Sequence, residues 1–206
     1  MRIAPLEKPF EPEVDAQLRT MMPPGVEPIA LFRTFAKNLP MTVAMQPWGR
    51  HQLGRNFAVG VRDREIVIDR TCARCGCEYE WSVHVALFAE RAALSPQQVT
   101  SLAHGNAFDP CCETERDRCL IKLVDALHDH ADIPDGLWDE LALEFDEAQM
   151  LDLTMLCGWY HAISFHGEGS TRRTRTWYSH VPLRCPAGDV TRSPSCRRSG
   201  GDEARV

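Results

Sequence analysis

Residues 62–94 read RDREIVIDRTCARCGCEYEWSVHVALFAERAAL, and the folding of this stretch decides the organisation of the chain. Apolar residues Ile66, Val67 and Ile68 follow Glu65 and lead into Cys72, Cys75 and Cys77, with Gly76 breaking the cysteine run. A glycine there suits a helix end, because it enters left-handed dihedrals without steric cost. A second pattern then begins, in which Tyr79, Val83, Ala86 and Leu87 recur at helical spacings of three and four. The spacing predicts two helices meeting at Gly76, with Cys77 near the start of the second. The first turn of a helix exposes unpaired N–H groups and the positive end of the macrodipole, so a thiol there is expected to ionise more easily.

His84 stands four residues after Glu80 and seven after Cys77, which puts Glu80 and His84 on one helical face. A carboxylate beside an imidazole can hold its tautomer for proton transfer. Glu65, twelve residues before Cys77, is placed to fold back from the preceding helix. The candidate catalytic residues are therefore Cys77, Glu80, His84 and Glu65. Glu80 equally suits a cap at the helix start, whereas His84, which Val83 and Leu87 beside it would make a core histidine, is favoured for a functional role by its spacing to Glu80 and Cys77.

At these positions the chain resembles the carboxymuconolactone decarboxylase and alkylhydroperoxidase-D-like family. The redox-active branch carries a Glu, a Cys twelve residues on, a second Cys three further and a His four beyond that. These fall on Glu65, Cys77, Glu80 and His84, so three match and glutamate replaces the second cysteine. The wording Tyr79, Glu80, Trp81 with His84 is that of decarboxylase-like members. HGNAFDPCC, LVDALHDHADIPDGLWDEL and LDLTMLCGWYHAISF also look like this family, extending the resemblance over residues 1–166. It implies an all-α domain of seven or eight helices, a homo-trimer or homo-hexamer, a small-molecule substrate and no cofactor.

The other cysteines bear on the chemistry. Cys75 and Cys72 are the candidate resolving thiols for Cys77, while packing as small hydrophobes is the simpler reading of Cys72. A zinc site from Cys72, Cys75, Cys77 and His84 is disfavoured, because structural zinc sites join ligand pairs across a long loop. No metal is therefore expected. Cys111, Cys112 and Cys119 lack a histidine pair at usual spacing, and His128 and His130 suit a helix end. Tyr79, Trp81, Trp159 and Tyr160 are expected to line the pocket or core.

With 206 residues, 44% hydrophobic and 25% charged, the chain reads as one soluble domain with a tail. No run approaches a membrane span, and prolines and acids interrupt the first thirty residues where a signal peptide needs an apolar core. An odd count of nine cysteines without an export signal points to reduced thiols in the cytoplasm. Net charge is −6, but residues 171–206 hold eight arginines against three acids, leaving −11 for the rest. An acidic body argues against nucleic acid as the partner.

Helices are expected over 11–22, 29–39, 41–57 with a bend near Pro47, 96–105, 114–130, 135–144 and 147–165, with essentially no strand. Ser95 and Pro96 give a start signal, and Thr114 is an N-cap candidate. From His166 the chain turns to Arg, Ser, Thr, Gly and Pro, which cannot bury an apolar stripe. Residues 167–206 therefore read as a basic tail of low order, either natural or produced by a reading-frame change near His166. The frame change is slightly favoured, because the resemblance implies an apolar continuation of the last helix.

Three functions follow. The density of cysteines beside His84 places first a peroxiredoxin-type thiol peroxidase, an antioxidant oxidoreductase acting on small hydroperoxides, with Cys77 as nucleophile. Second is a cofactor-free carboxy-lyase on a small carboxylated lactone or aromatic-degradation intermediate, with Arg70 or Arg74 as the anion clamp. Third is an oligomeric binding protein with weak turnover.

Overall fold

A computed structural model describes residues 3–166. The expected tail and frame change at 167–206 lie outside the described residues. Among the described residues there are nine helices and no strand, one or two helices more than the resemblance implies. They are α1 (Pro12–Thr20), α2 (Ala30–Phe35), α3 (Leu39–Leu53), α4 (Val61–Cys75), α5 (Glu78–Phe88), α6 (Pro96–His104), α7 (Glu115–His130), α8 (Asp135–Glu144) and α9 (Glu147–Ser164). None is long and apolar enough to cross a membrane.

Local signals account for most boundaries. Gly76 takes φ +66°, its N–H bonds Ala73 O at 3.0 Å, and the Cys77 N–H bonds Cys72 O at 2.9 Å. That pair of bonds is a Schellman closure, and it turns the chain directly from α4 into α5. Ser95 and Gln98 form a capping box at α6 with Pro96 in the first turn, and the Thr114 side chain accepts from the Asp117 N–H at α7. Two expectations need correcting around residue 40. The 29–39 helix stops at Phe35, and a new helix starts at Leu39, where the Asn38 side chain caps Met41 N–H. Pro40 is tolerated because first-turn N–H groups have no intrahelical partner. The helix then runs on through Pro47 and stops at Gly54, short of Phe57.

Helix α4 is the hub, packing against α5, α6, α7 and α9. Residues 63–73 are all buried, including Asp63, Arg64, Glu65, Asp69 and Arg70. Buried charge is costly unless paired, and α7 supplies the partners of Asp63 and Arg70 and of the half-buried Arg62 and Arg74 that flank them. Arg62 meets Asp117 at 2.7 Å, Arg116 meets Asp63 at 2.8 Å, Arg70 grips Asp125 at 2.8 and 2.9 Å, and Arg74 pairs with Asp129. Three of these pairs share an offset of 55 residues, so α4 and α7 run parallel and in register. The apolar core forms around this seam from Ile66, Ile68, Leu120, Leu123, Leu153 and Leu156. A smaller cluster of Leu31, Phe35 and Ile163 holds α2 against the end of α9.

Candidate active site

The α4–α5 turn and α9 bring a hydrogen-bonded chain of side chains into the core. Arg64 Nε donates to Glu65 Oε1 at 2.7 Å, Glu65 Oε2 lies 2.8 Å from His84 Nδ1, and His84 Nε2 lies 2.8 Å from the Tyr160 hydroxyl. Relative exposure is 0% for Glu65, 4% for His84 and 4% for Tyr160, so water does not compete for these bonds. With Arg64 on one carboxylate oxygen, the other is an acceptor, which makes Nδ1 the protonated nitrogen of His84. Nε2 then accepts from Tyr160 O–H. Burial, together with Glu80, Cys72 and Glu65, pushes the Tyr160 hydroxyl well above its ordinary value.

Glu80 is buried in the first turn of α5. Its Oε1 has no hydrogen-bond partner, and the Cys77 N–H is spent on Cys72 O, so Glu80 does not close a capping box. Burial raises its carboxyl pKa, opposed by the attraction of His84. Asp69, one turn after Glu65 on α4, is buried with neither oxygen hydrogen-bonded. Burial and then Glu65 push it well above the usual carboxylate range. Both carboxyls are thus easier to protonate than a solvated carboxylate, and they neighbour the Glu65–His84 pair.

Cys77 is the N-cap of α5 and is 2% exposed. The sequence predicts a thiol made acidic by the helix start; the structure gives the opposite sign. Burial pushes Cys77 up, and this outweighs the favourable Glu80 N–H and the nearby Ser164 hydroxyl. A terminal N–H favours thiolate, but removing water from the sulfur costs more here. Both ring nitrogens of His84 are engaged by Glu65 and Tyr160, so the imidazole is not hydrogen-bonded to the sulfur. Of the candidate resolving thiols, Cys72 is fully buried and pushed well up, and Cys75 is half-buried and pushed up to about 11, both mainly by burial. All seven cysteines of the described residues are free.

The four aromatic residues separate. Tyr160 belongs to the relay and Trp81 to the main core, while Tyr79 packs against the α2–α9 cluster and Trp159 touches both clusters. Neither expected anion clamp is free, since Arg70 is held by Asp125 and the carbonyls of Leu102 and Gly105, and Arg74 by Asp125 and Asp129. The arginine at the centre is Arg64. A depression of about 350 Å³ along α3, lined by Arg50, His51, Arg55 and Asn56 among others, includes none of the relay residues. Sequence reasoning missed Arg64, Asp69 and the bonding role of Tyr160. The available signal for Asp69 was its i, i+4 spacing from Glu65 on one face.

The assembled groups can move protons. Tyr160 can take a proton on its oxygen while passing its own to His84 Nε2, with Glu65 stabilising the imidazolium, and Glu80 can supply a proton nearby. No protein-family model, no curated protein and no solved structure matches this chain.

Proposed function

We propose that this protein is an enzyme of the carboxymuconolactone decarboxylase and alkylhydroperoxidase-D-like type, acting as a cofactor-free lyase or isomerase on a small carboxylated lactone or related organic acid. The observation that carries this reading is the buried chain from Glu65 through His84 to Tyr160 beside Glu80, whose buried Oε1 has no hydrogen-bond partner. The Tyr160 oxygen takes the proton of the substrate's carboxylic acid while its own passes to His84 Nε2, and after turnover that proton returns to restore Glu80. Loss of CO2 from the substrate leaves an electron pair that the lactone carbonyl delocalises, and the Glu80 proton then completes the product. Arg64 positions Glu65. Because these groups are almost fully buried, covering side chains must move to admit the substrate. The test is CO2 release from carboxylated lactones by the wild type, Glu80→Gln and Tyr160→Phe. Release by the wild type that falls in both variants is expected, and release unchanged in both overturns the mechanism.

The second reading is the thiol peroxidase, favoured by the Glu80 N–H at the Cys77 sulfur and by Cys72 as its electrostatic neighbour. Cys77 sulfur would attack a hydroperoxide oxygen, release the alcohol and become a sulfenic acid. Cys72 or Cys75 would then expel water to form a disulfide, which an external dithiol reduces. The elevated Cys77 thiol places this behind the lyase, reversing the order expected from sequence. Hydroperoxide consumption abolished by Cys77→Ser would restore it.

A homo-trimer or homo-hexamer is part of the proposal. Leu143, Leu151 and Met155, on α8 and α9, are exposed at 87%, 67% and 52%, and subunit contact would cover such apolar surface. Sedimentation velocity tests it, with a monomer as the contrary result.

A further inference from the structure

We propose a zinc site formed by Cys75, His128 and His161, separate from the proton relay and independent of the proposed reaction. The Cys75 sulfur and one ring nitrogen from each histidine all lie within 4.8 Å of one another. They come from three helices: Cys75 is the last residue of α4, His128 is in the last turn of α7, and His161 is in the last turn of α9. Three helix C-termini therefore converge, and the negative ends of their dipoles favour a cation. The Arg74 guanidinium that faces His128 is paired with Asp125 and Asp129.

The imidazoles are already set for coordination. His161 Nδ1 lies 2.8 Å from the Cys157 carbonyl, which can only accept, so Nδ1 carries the proton and Nε2 has a free lone pair. A backbone carbonyl on the far ring nitrogen is the usual support of a metal-bound histidine. Nε2 of His161 in turn lies 2.9 Å from His128 Nδ1. Two nitrogens at about 2.0–2.1 Å from a tetrahedral zinc stand roughly 3.3 Å apart, and nitrogen and sulfur roughly 3.6 Å. The rings need only part by a few tenths of an ångström, and the sulfur need only close in. Zinc would replace the shared proton between the rings, His128 carrying its proton on Nε2, and would displace the proton of the Cys75 thiol to solvent. One thiolate and two imidazoles match a borderline-soft divalent ion, and all three ligands are half-buried, leaving the fourth position to water.

The site would occupy Cys75 and so remove it as a resolving thiol for Cys77. Chelator-stripped full-length protein is titrated with Co2+ under anaerobic conditions as the spectroscopic probe, and then with Zn2+. One equivalent of Co2+ is expected to give a thiolate-to-cobalt charge-transfer band and the visible absorption of a four-coordinate ion, both erased by Zn2+. Cys75→Ser should lose the charge-transfer band, His161→Ala the stoichiometric binding, and Cys111→Ser neither. Absence of stoichiometric binding by the wild type, or a band retained in Cys75→Ser, overturns the proposal. Should a ligand variant fail to fold, alkylation of the unmutated protein decides instead. Zn2+ is expected to suppress labelling of Cys75 and leave Cys111 unaffected, and equal labelling of Cys75 with and without Zn2+ rejects the site.

Discussion

Tyr160 Oη stands 2.8 Å from His84 Nε2 across 76 residues of sequence, and both side chains are buried. Tyr160→Phe removes only the hydroxyl and leaves a buried ring nitrogen without its donor. A loss of about 1–3 kcal/mol in unfolding free energy is expected. Urea denaturation at neutral pH measures it, and turnover should fall in the same variant.

Glu65 sits between Arg64 and His84, both buried. Glu65→Ala strands the guanidinium in the core, with an expected cost of about 3–5 kcal/mol. Glu65→Gln keeps an acceptor for Arg64 and should cost less. Thermal melting of the two variants checks that order.

Asp69 and Glu80 both have carboxyl pKa values raised in the folded state, chiefly by burial. The folded chain then holds more protons than the unfolded one above about pH 4, so each group contributes stability at low pH that is lost as pH rises toward its folded value. Asp69→Asn is expected to be more stable than the wild type at pH 7, with the difference shrinking toward pH 4. Urea midpoints at several pH values test this, and a constant difference would contradict it.

Among the described cysteines, half-buried Cys111 should react first with iodoacetamide at pH 7.5. Cys77 should react at least about tenfold more slowly, because a buried thiol with a raised pKa offers little thiolate. Peptide mapping by mass spectrometry reads both rates.

Features set by neighbours in sequence were legible before folding was considered. The turn at Gly76, the caps at Ser95 and Thr114 and the pairing of Glu65 with the His84 helix all follow from short-range pattern. What depends on distant packing was not. Arg62, Asp63, Arg70 and Arg74 look like the solvated face of an amphipathic helix until α7 brings carboxylates and Arg116 to them. Cys77 misled for the same reason, since a helix start is visible locally and the burial that overrules it is not. Likewise the meeting of Cys75 with His128 and His161 depends on how three helices are arranged.

The constant spacing of 55 between paired residues on α4 and α7 also limits how this chain can change in length. A residue inserted or deleted between those pairs within either helix would turn everything beyond it by roughly 100°, and the arginines past that point would face the wrong neighbours. Loops between the two helices carry no such constraint. Insertions and deletions should therefore be excluded from residues 62–74 and 117–129.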